Sequence, residues 1–130
     1  MREFQTLKSD VKTTRLIEVD PNNLKLSEGE ITVKIEKFSF TSNNITYGVA
    51  GDLIGYWNFF PSSDNANNNW GCIPMWGFAR ITESNNDALS IGERLFGYFP
   101  PSDYLNLNPI KISKETFIDG KTHRRELPPV

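Results

Sequence analysis

Residues 31–36, Ile-Thr-Val-Lys-Ile-Glu, alternate apolar and polar side chains without interruption. A period of two belongs to a strand with one buried face, so Ile31, Val33 and Ile35 are expected inward and Thr32, Lys34 and Glu36 outward. At Lys37-Phe38 the phase changes, and Phe38 and Phe40 take over the apolar role. A phase change inside one long strand predicts a bulge, or a strand that passes from one packing face to another. Around this segment the chain is punctuated by turn residues. Residues 14–19 are rich in β-branched side chains and run into Asp20-Pro21-Asn22-Asn23, and Ser27-Glu28-Gly29-Glu30 forms the next turn. Residues 73–82 and 92–99 read as two more apolar strands separated by Ser84-Asn85-Asn86-Asp87, with a short strand over 109–112. Thr41-Ser42-Asn43-Asn44 offers capping side chains for a short helix over 45–50, stopped by Gly51. Residues 62–69 are too polar for a core element and read as a surface loop. Many short strands and hardly any helix indicate an all-β barrel or sandwich.

Composition excludes several functions. A length of 130 residues fits one domain and is too short for a complete two-domain cofactor enzyme. Fourteen Lys and Arg against sixteen Asp and Glu argue against nucleic acid held by a strong basic field. One Cys and one His leave no disulfide framework and no zinc site of several Cys and His ligands. No apolar run is long enough to span a bilayer, and residues 1–19 carry charges throughout without a signal core, so no membrane partner and a cytoplasmic setting are expected.

The catalytic motifs are sparse. A Ser-His-acid set would have to use His123, and no Gly-x-Ser-x-Gly elbow occurs. Cys72 reads as a packed, inert thiol. The acids are scattered rather than paired, and neither Gly-x-Gly-x-x-Gly nor a Walker-type loop is found. Lys121-Thr122-His123-Arg124-Arg125 reads as a solvated tail or, more sharply, an anion or interdomain contact. Asn43-Asn44 is the most suggestive polar pair. Either one amide caps the helix while the other is solvated, or one points into a pocket and hydrogen-bonds a carbonyl. Thirteen of the sixteen aromatic residues fall between Phe38 and Phe99. They are expected to be mostly core, with a minority facing a ligand.

The order of these pieces resembles a known family. Glu30-Ile31-Thr32-Val33-Lys34-Ile35-Glu36-Lys37-Phe38-Ser39-Phe40 leading to Asn43 is similar to the opening of the medium-chain dehydrogenase/reductase superfamily, in its quinone-oxidoreductase branch. Gly92-Glu93-Arg94-Leu95-Phe96-Gly97 resembles that superfamily's Gly-Asp-Arg-Val-x-Gly turn and strand. Ile73-Pro74-Met75-Trp76-Gly77-Phe78-Ala79-Arg80-Ile81 falls where the superfamily has its Pro-containing strand. Thr41-Ser42-Asn43-Asn44-Ile45-Thr46-Tyr47, Tyr56-Trp57-Asn58-Phe59-Phe60-Pro61, Trp76-Gly77-Phe78-Ala79, Gly97-Tyr98-Phe99-Pro100 and the segment 117–130 resemble a subfamily catalogued as a domain of unknown function.

The resemblance implies a mainly β, GroES-like, partly open β-barrel over residues 1–113 with one or two short helices. Residues 114–130 would then be a polar segment leading toward an absent cofactor domain. It implies the substrate-side domain of a zinc-independent, NAD(P)-dependent oxidoreductase-like protein, inactive alone because it lacks the Rossmann domain. Ser42-Asn43-Asn44 and Trp76-Gly77-Phe78 stand where zinc-dependent members carry Cys and His, hence the expectation of no metal. Asn43, Asn44, Tyr47, Tyr56 and Trp57 would line the substrate cleft. The chain itself would hold no cofactor; NAD(P) is expected only with a separate Rossmann-type domain. The alternative is a non-catalytic binding or oligomerisation module using its exposed interdomain face. Expected partners are accordingly a Rossmann-type domain or a second copy.

Overall fold

The structure is a computed structural model that describes residues 1–20, 25–42, 44, 57, 59–63 and 69–121. Its elements in chain order are β1 (Arg2–Leu7), β2 (Asp10–Glu18), β3 (Ile31–Phe38), β4 (Trp70–Gly71), β5 (Met75–Ser84), β6 (Arg94–Phe99), β7 (Tyr104–Leu107), β8 (Pro109–Ile110) and β9 (Ile118–Asp119). They form three antiparallel sheets with orders β2-β1-β4, β6-β5-β3-β7 and β8-β9. The fold is mainly β, as the alternation requires. No helix among the described residues is long and apolar enough to cross a membrane.

The four-stranded sheet holds the main core. Ile31 and Val33 of β3, Ala79 and Ile81 of β5, Phe99 of β6 and Leu107 of β7 are buried together, with Ile35 packed against them. Lys34 and Glu36 face solvent as their phase demands, but Thr32 does not. It is buried because β7 pairs alongside, and its hydroxyl donates to Asn106 Oδ1 at 2.6 Å. The expected irregularity is present. Ile35 pairs with Ala79 but Lys37 pairs with Phe78, so Glu36 is an extra residue. Gly77 lies under this bulge. A Cβ there would run into the Lys37 carbonyl oxygen and come within 2.9 Å of Phe38 Cα. Any larger side chain would push β3 off β5.

The aromatic residues depart from expectation. Trp57, Phe59, Phe60 and Phe99 are buried, whereas Phe38, Phe40, Trp76, Phe78 and Phe96 are exposed. The expected barrel also needs correction: among the described residues the sheets stay open. β6 ends at Phe99, and Pro100-Pro101 has no N–H with which to continue a ladder. The three-stranded sheet meets this segment through the Glu3–Ser102 bridge, through Phe4 N–H donating to the Pro101 carbonyl at 2.8 Å, through Asp103 N–H donating to the Arg2 carbonyl at 3.1 Å and through the Arg2–Asp103 ion pair. Of the expected surface loop over 62–69, Ser62 lies outside any strand but is buried rather than at the surface, and Ser63 is tied to Glu3. Of the expected short helix, Ser42 and Asn44 have helical backbone, and 45–50 lies outside the described residues.

Residues 114–121 fold back onto the body. Phe117 packs against the main core, β9 pairs with β8, and the Lys121 ammonium donates to the Glu30 carboxylate. Burial pushes the Glu30 carboxyl up, but Lys121 and the Ser27 N–H together hold it below the ordinary range.

Candidate functional site

An open cleft of about 510 Å³ lies where the three-stranded sheet meets the end of the four-stranded one. Ligand sites commonly span roughly 300–1,000 Å³, so its size suits a small molecule. Its walls follow from strand periodicity. Phe4 on β1 pairs with Leu16 on β2, so both project from one face. The opposite wall is Ile35 and Phe38 of β3, Phe40 just beyond it, and Met75 of β5. Phe38 reaches this wall because the Glu36 bulge resets the phase of β3. Pro101, Ser102 and Asp103 form the floor. Leu16 is 62% and Phe38 56% exposed, so these apolar side chains stand half-covered.

The cleft carries one ion pair. Arg2 and Asp103 meet through Nη2–Oδ1 at 3.0 Å and Nε–Oδ2 at 3.2 Å, and the Arg2 backbone N–H donates to Oδ2 at 2.7 Å. The Arg2 side chain, opposed by burial, holds the Asp103 carboxyl below its usual range. Ser102 Oγ donates to the Tyr104 carbonyl at 3.0 Å. Each polar side chain of the lining is thus engaged by the protein, and the pair presents no net charge to an occupant.

The cleft candidates from the sequence lie elsewhere or beyond the described residues. Asn44 is buried. Its Oδ1 accepts from the Thr41 N–H at 2.7 Å, and its Nδ2 donates to the Pro74 carbonyl at 2.9 Å. One amide therefore both caps the helical turn at Ser42 and ties it to Pro74, the residue just before β5. Trp57 is buried against Gly71, where a Cβ would strike its ring, and the Lys8 ammonium lies 5.8 Å from the ring centroid. No acceptor among the described residues meets its Nε1. Asn43, Tyr47 and Tyr56 lie outside the described residues, as does His123. Cys72 is buried beside Phe59 and Phe60. Among the described residues no three His, Cys, Asp or Glu side chains are grouped to hold a metal ion.

Sequence reasoning missed Arg2, Phe4, Leu16, Met75 and Asp103. Only Phe38 and Phe40 carried a signal, the phase change after Glu36. Also missed was a buried polar network on the other face of β1. Glu3 accepts from Gln5 Nε2 at 2.7 Å and from the Ser63 hydroxyl at 2.7 Å, while Gln5 Oε1 accepts from Arg15 Nε at 2.7 Å. The Arg15 guanidinium stacks over Trp70, 4.1 Å from the ring centroid. The Glu3 carboxylate has protein donors on both oxygens, which suits it to holding strands together.

A family model described as a protein of unknown function, DUF2855, matches residues 38–130. No curated protein and no solved structure matches the chain.

Proposed function

The chain belongs to the DUF2855 family of proteins of unknown function, and from that premise we propose that it is the substrate-side domain of a zinc-independent, NAD(P)-dependent oxidoreductase-like protein. The observation that carries this reading is the cleft. It is mostly apolar, half-covered and internally charge-neutral, of the kind a second domain would close into a site for an uncharged, apolar substrate. The fold relationship that goes with the reading is GroES-like. Hydride chemistry would belong to the nicotinamide, and the sequence offers no glycine-rich phosphate loop to hold one. A Rossmann-type domain, in the same polypeptide or in a partner, would grip it. The residues of this chain would orient the substrate and exclude water. Alone, the chain is inactive. A cytoplasmic setting goes with the same reading, in keeping with a single buried cysteine.

The test is a fluorescence titration with NADH and NADPH. The chain alone should bind neither. Co-expression with a Rossmann-type domain encoded beside it should produce saturable binding. Absence of binding in every combination would retire the oxidoreductase reading.

A second reading, a non-catalytic binding or oligomerisation module, is favoured by one observation. The outward face of β5 and β6 carries exposed Trp76, Phe78 and Phe96, none of which lines the cleft.

A further inference from the structure

Register places aromatic and cationic side chains together on the outward face of the four-stranded sheet. Phe78 pairs beside Phe96 and Arg80 beside Arg94. On β3, Lys34 pairs beside Arg80, and the Glu36 bulge brings Lys37 beside Phe78. Residues directly opposite one another across an antiparallel ladder share a face. The cleft uses the other face of the sheet, through Ile35 and Met75.

The rings form a stack with one open end. Trp76 and Phe96 lie nearly parallel, with centroids 5.6 Å apart and planes 15° from each other. Phe78 leans on Phe96 at 5.1 Å, and the Arg94 guanidinium sits 4.3 Å from the Phe78 centroid. Phe59 and Phe60 pack on Tyr98, so the open part of the face stops short of that residue. Phe96, away from them, is 64% exposed, against 37% for Trp76 and for Phe78. A solvated sheet face is ordinarily polar, and large rings left together on one mark a contact surface.

The cations are arranged around that stack. Lys34, Arg80 and Arg94 stand in one row on three neighbouring strands, about 10 Å from first to last at the usual strand spacing. The two arginines share one carboxylate: Glu36 Oε2 lies 3.5 Å from Arg80 Nε and Oε1 3.5 Å from Arg94 Nε. Lys34 and Lys37 have no ion-pair partner among the described residues. Glu83, which pairs with Thr32, is the other acid of this face. Cations therefore outnumber carboxylates here, on a chain whose formal net charge is −2. Whole-chain composition averages this local excess away.

We propose that this face is a stacking platform for single-stranded nucleic acid. A base extends the Trp76–Phe96 stack at its Phe96 end, and neighbouring phosphates lie along the Arg94–Arg80–Lys34 row. Rings and cations together select the ligand. A duplex keeps its bases stacked on one another and has none to offer Phe96. An acidic peptide would satisfy the cations and leave the rings bare, whereas a neutral glycan would cover the rings and leave the cations unused. The inference deepens the binding-module reading and requires neither the cleft nor a nicotinamide.

The test is fluorescence anisotropy of a labelled oligothymidylate of about 12 nucleotides, titrated with the full chain. At about 50 mM salt binding should saturate, and raising salt to about 200 mM should weaken it about tenfold, since each of two or three phosphates adds roughly −0.7 to the slope. Phe96→Ala should weaken binding about fivefold or more and leave the salt slope unchanged, because it removes a stacking surface and no charge. Lys34→Gln combined with Lys37→Gln should flatten the slope. All three positions are exposed, and unchanged far-UV circular dichroism keeps folding out of the comparison. No saturable binding at the lower salt would overturn the proposal. So would affinity that Phe96→Ala leaves intact, or a duplex of the same length or polyglutamate displacing the label as readily as the unlabelled single strand. Failure of the NADH and NADPH titrations would leave it standing.

Discussion

The two larger sheets bury different chemistry. Beneath β6-β5-β3-β7 the interior is Ile31, Val33, Ala79, Ile81, Phe99 and Leu107, held by removal of apolar surface from water. Behind β2-β1-β4, β1 buries Glu3, Gln5 and Thr6, and the Arg15–Gln5–Glu3–Ser63 chain of hydrogen bonds takes the place of side-chain packing. An apolar interior tolerates loss of any one contact in proportion to the volume lost. A buried polar network depends on every member, because a donor or acceptor left without a partner keeps its full desolvation cost. The polar strand pair thereby frees its apolar residues, Phe4 and Leu16, to face the cleft.

The largest effect should come from Ile81→Ala, at the centre of the apolar sheet. A cavity there should cost about 2–5 kcal/mol, read from denaturant unfolding. Loss of under about 1 kcal/mol would mean that β3 and β5 are not the core of stability. Gln5→Ala removes the middle of the polar chain and should cost about 1–3 kcal/mol. A neutral result would show that water replaces the amide and that this interior is not dry. The smallest effect concerns the join between the sheets. Because Asp103 is held below the ordinary carboxyl range, chiefly by the Arg2 side chain, its contribution is complete above the unfolded value of about 4 and is lost as pH falls through the lower folded value. Melting temperature should therefore fall less on acidification below about pH 4 in Asp103→Asn than in the wild-type chain. Parallel curves would mean that the Arg2–Asp103 pair does not fasten the sheets.

The same contrast explains what was legible in the sequence. β3 was readable because its alternation, Ile31-Val33-Ile35, matches its burial, and the Glu36 bulge was announced by the phase change toward Phe38. β1 was not, because its inward residues Glu3 and Gln5 are polar and its outward Phe4 apolar, which inverts the usual pattern. Thr32 looked like a solvent-facing residue until β7 covered it, a tertiary fact with no local signal. The cleft was half legible. Phe38 and Phe40 stood out, but their opposite wall comes from a strand pair that periodicity assigns to no face. Asn44 was marked by its place after the best strand, and its two partners, Thr41 and the distant Pro74, became visible only once β5 was in place.

Binding of an uncharged apolar molecule in the cleft of Phe4, Leu16, Phe38 and Phe40 can be followed by nuclear magnetic resonance of the 15N-labelled chain titrated with neutral 1-N-phenylnaphthylamine. Saturable shifts are expected at the amides of residues 2–4, 16, 35–40, 102 and 103, abolished by Phe38→Asp. Shifts gathered instead on β5 and β6 around Trp76 and Phe96, or no saturable shift at all, would contradict it.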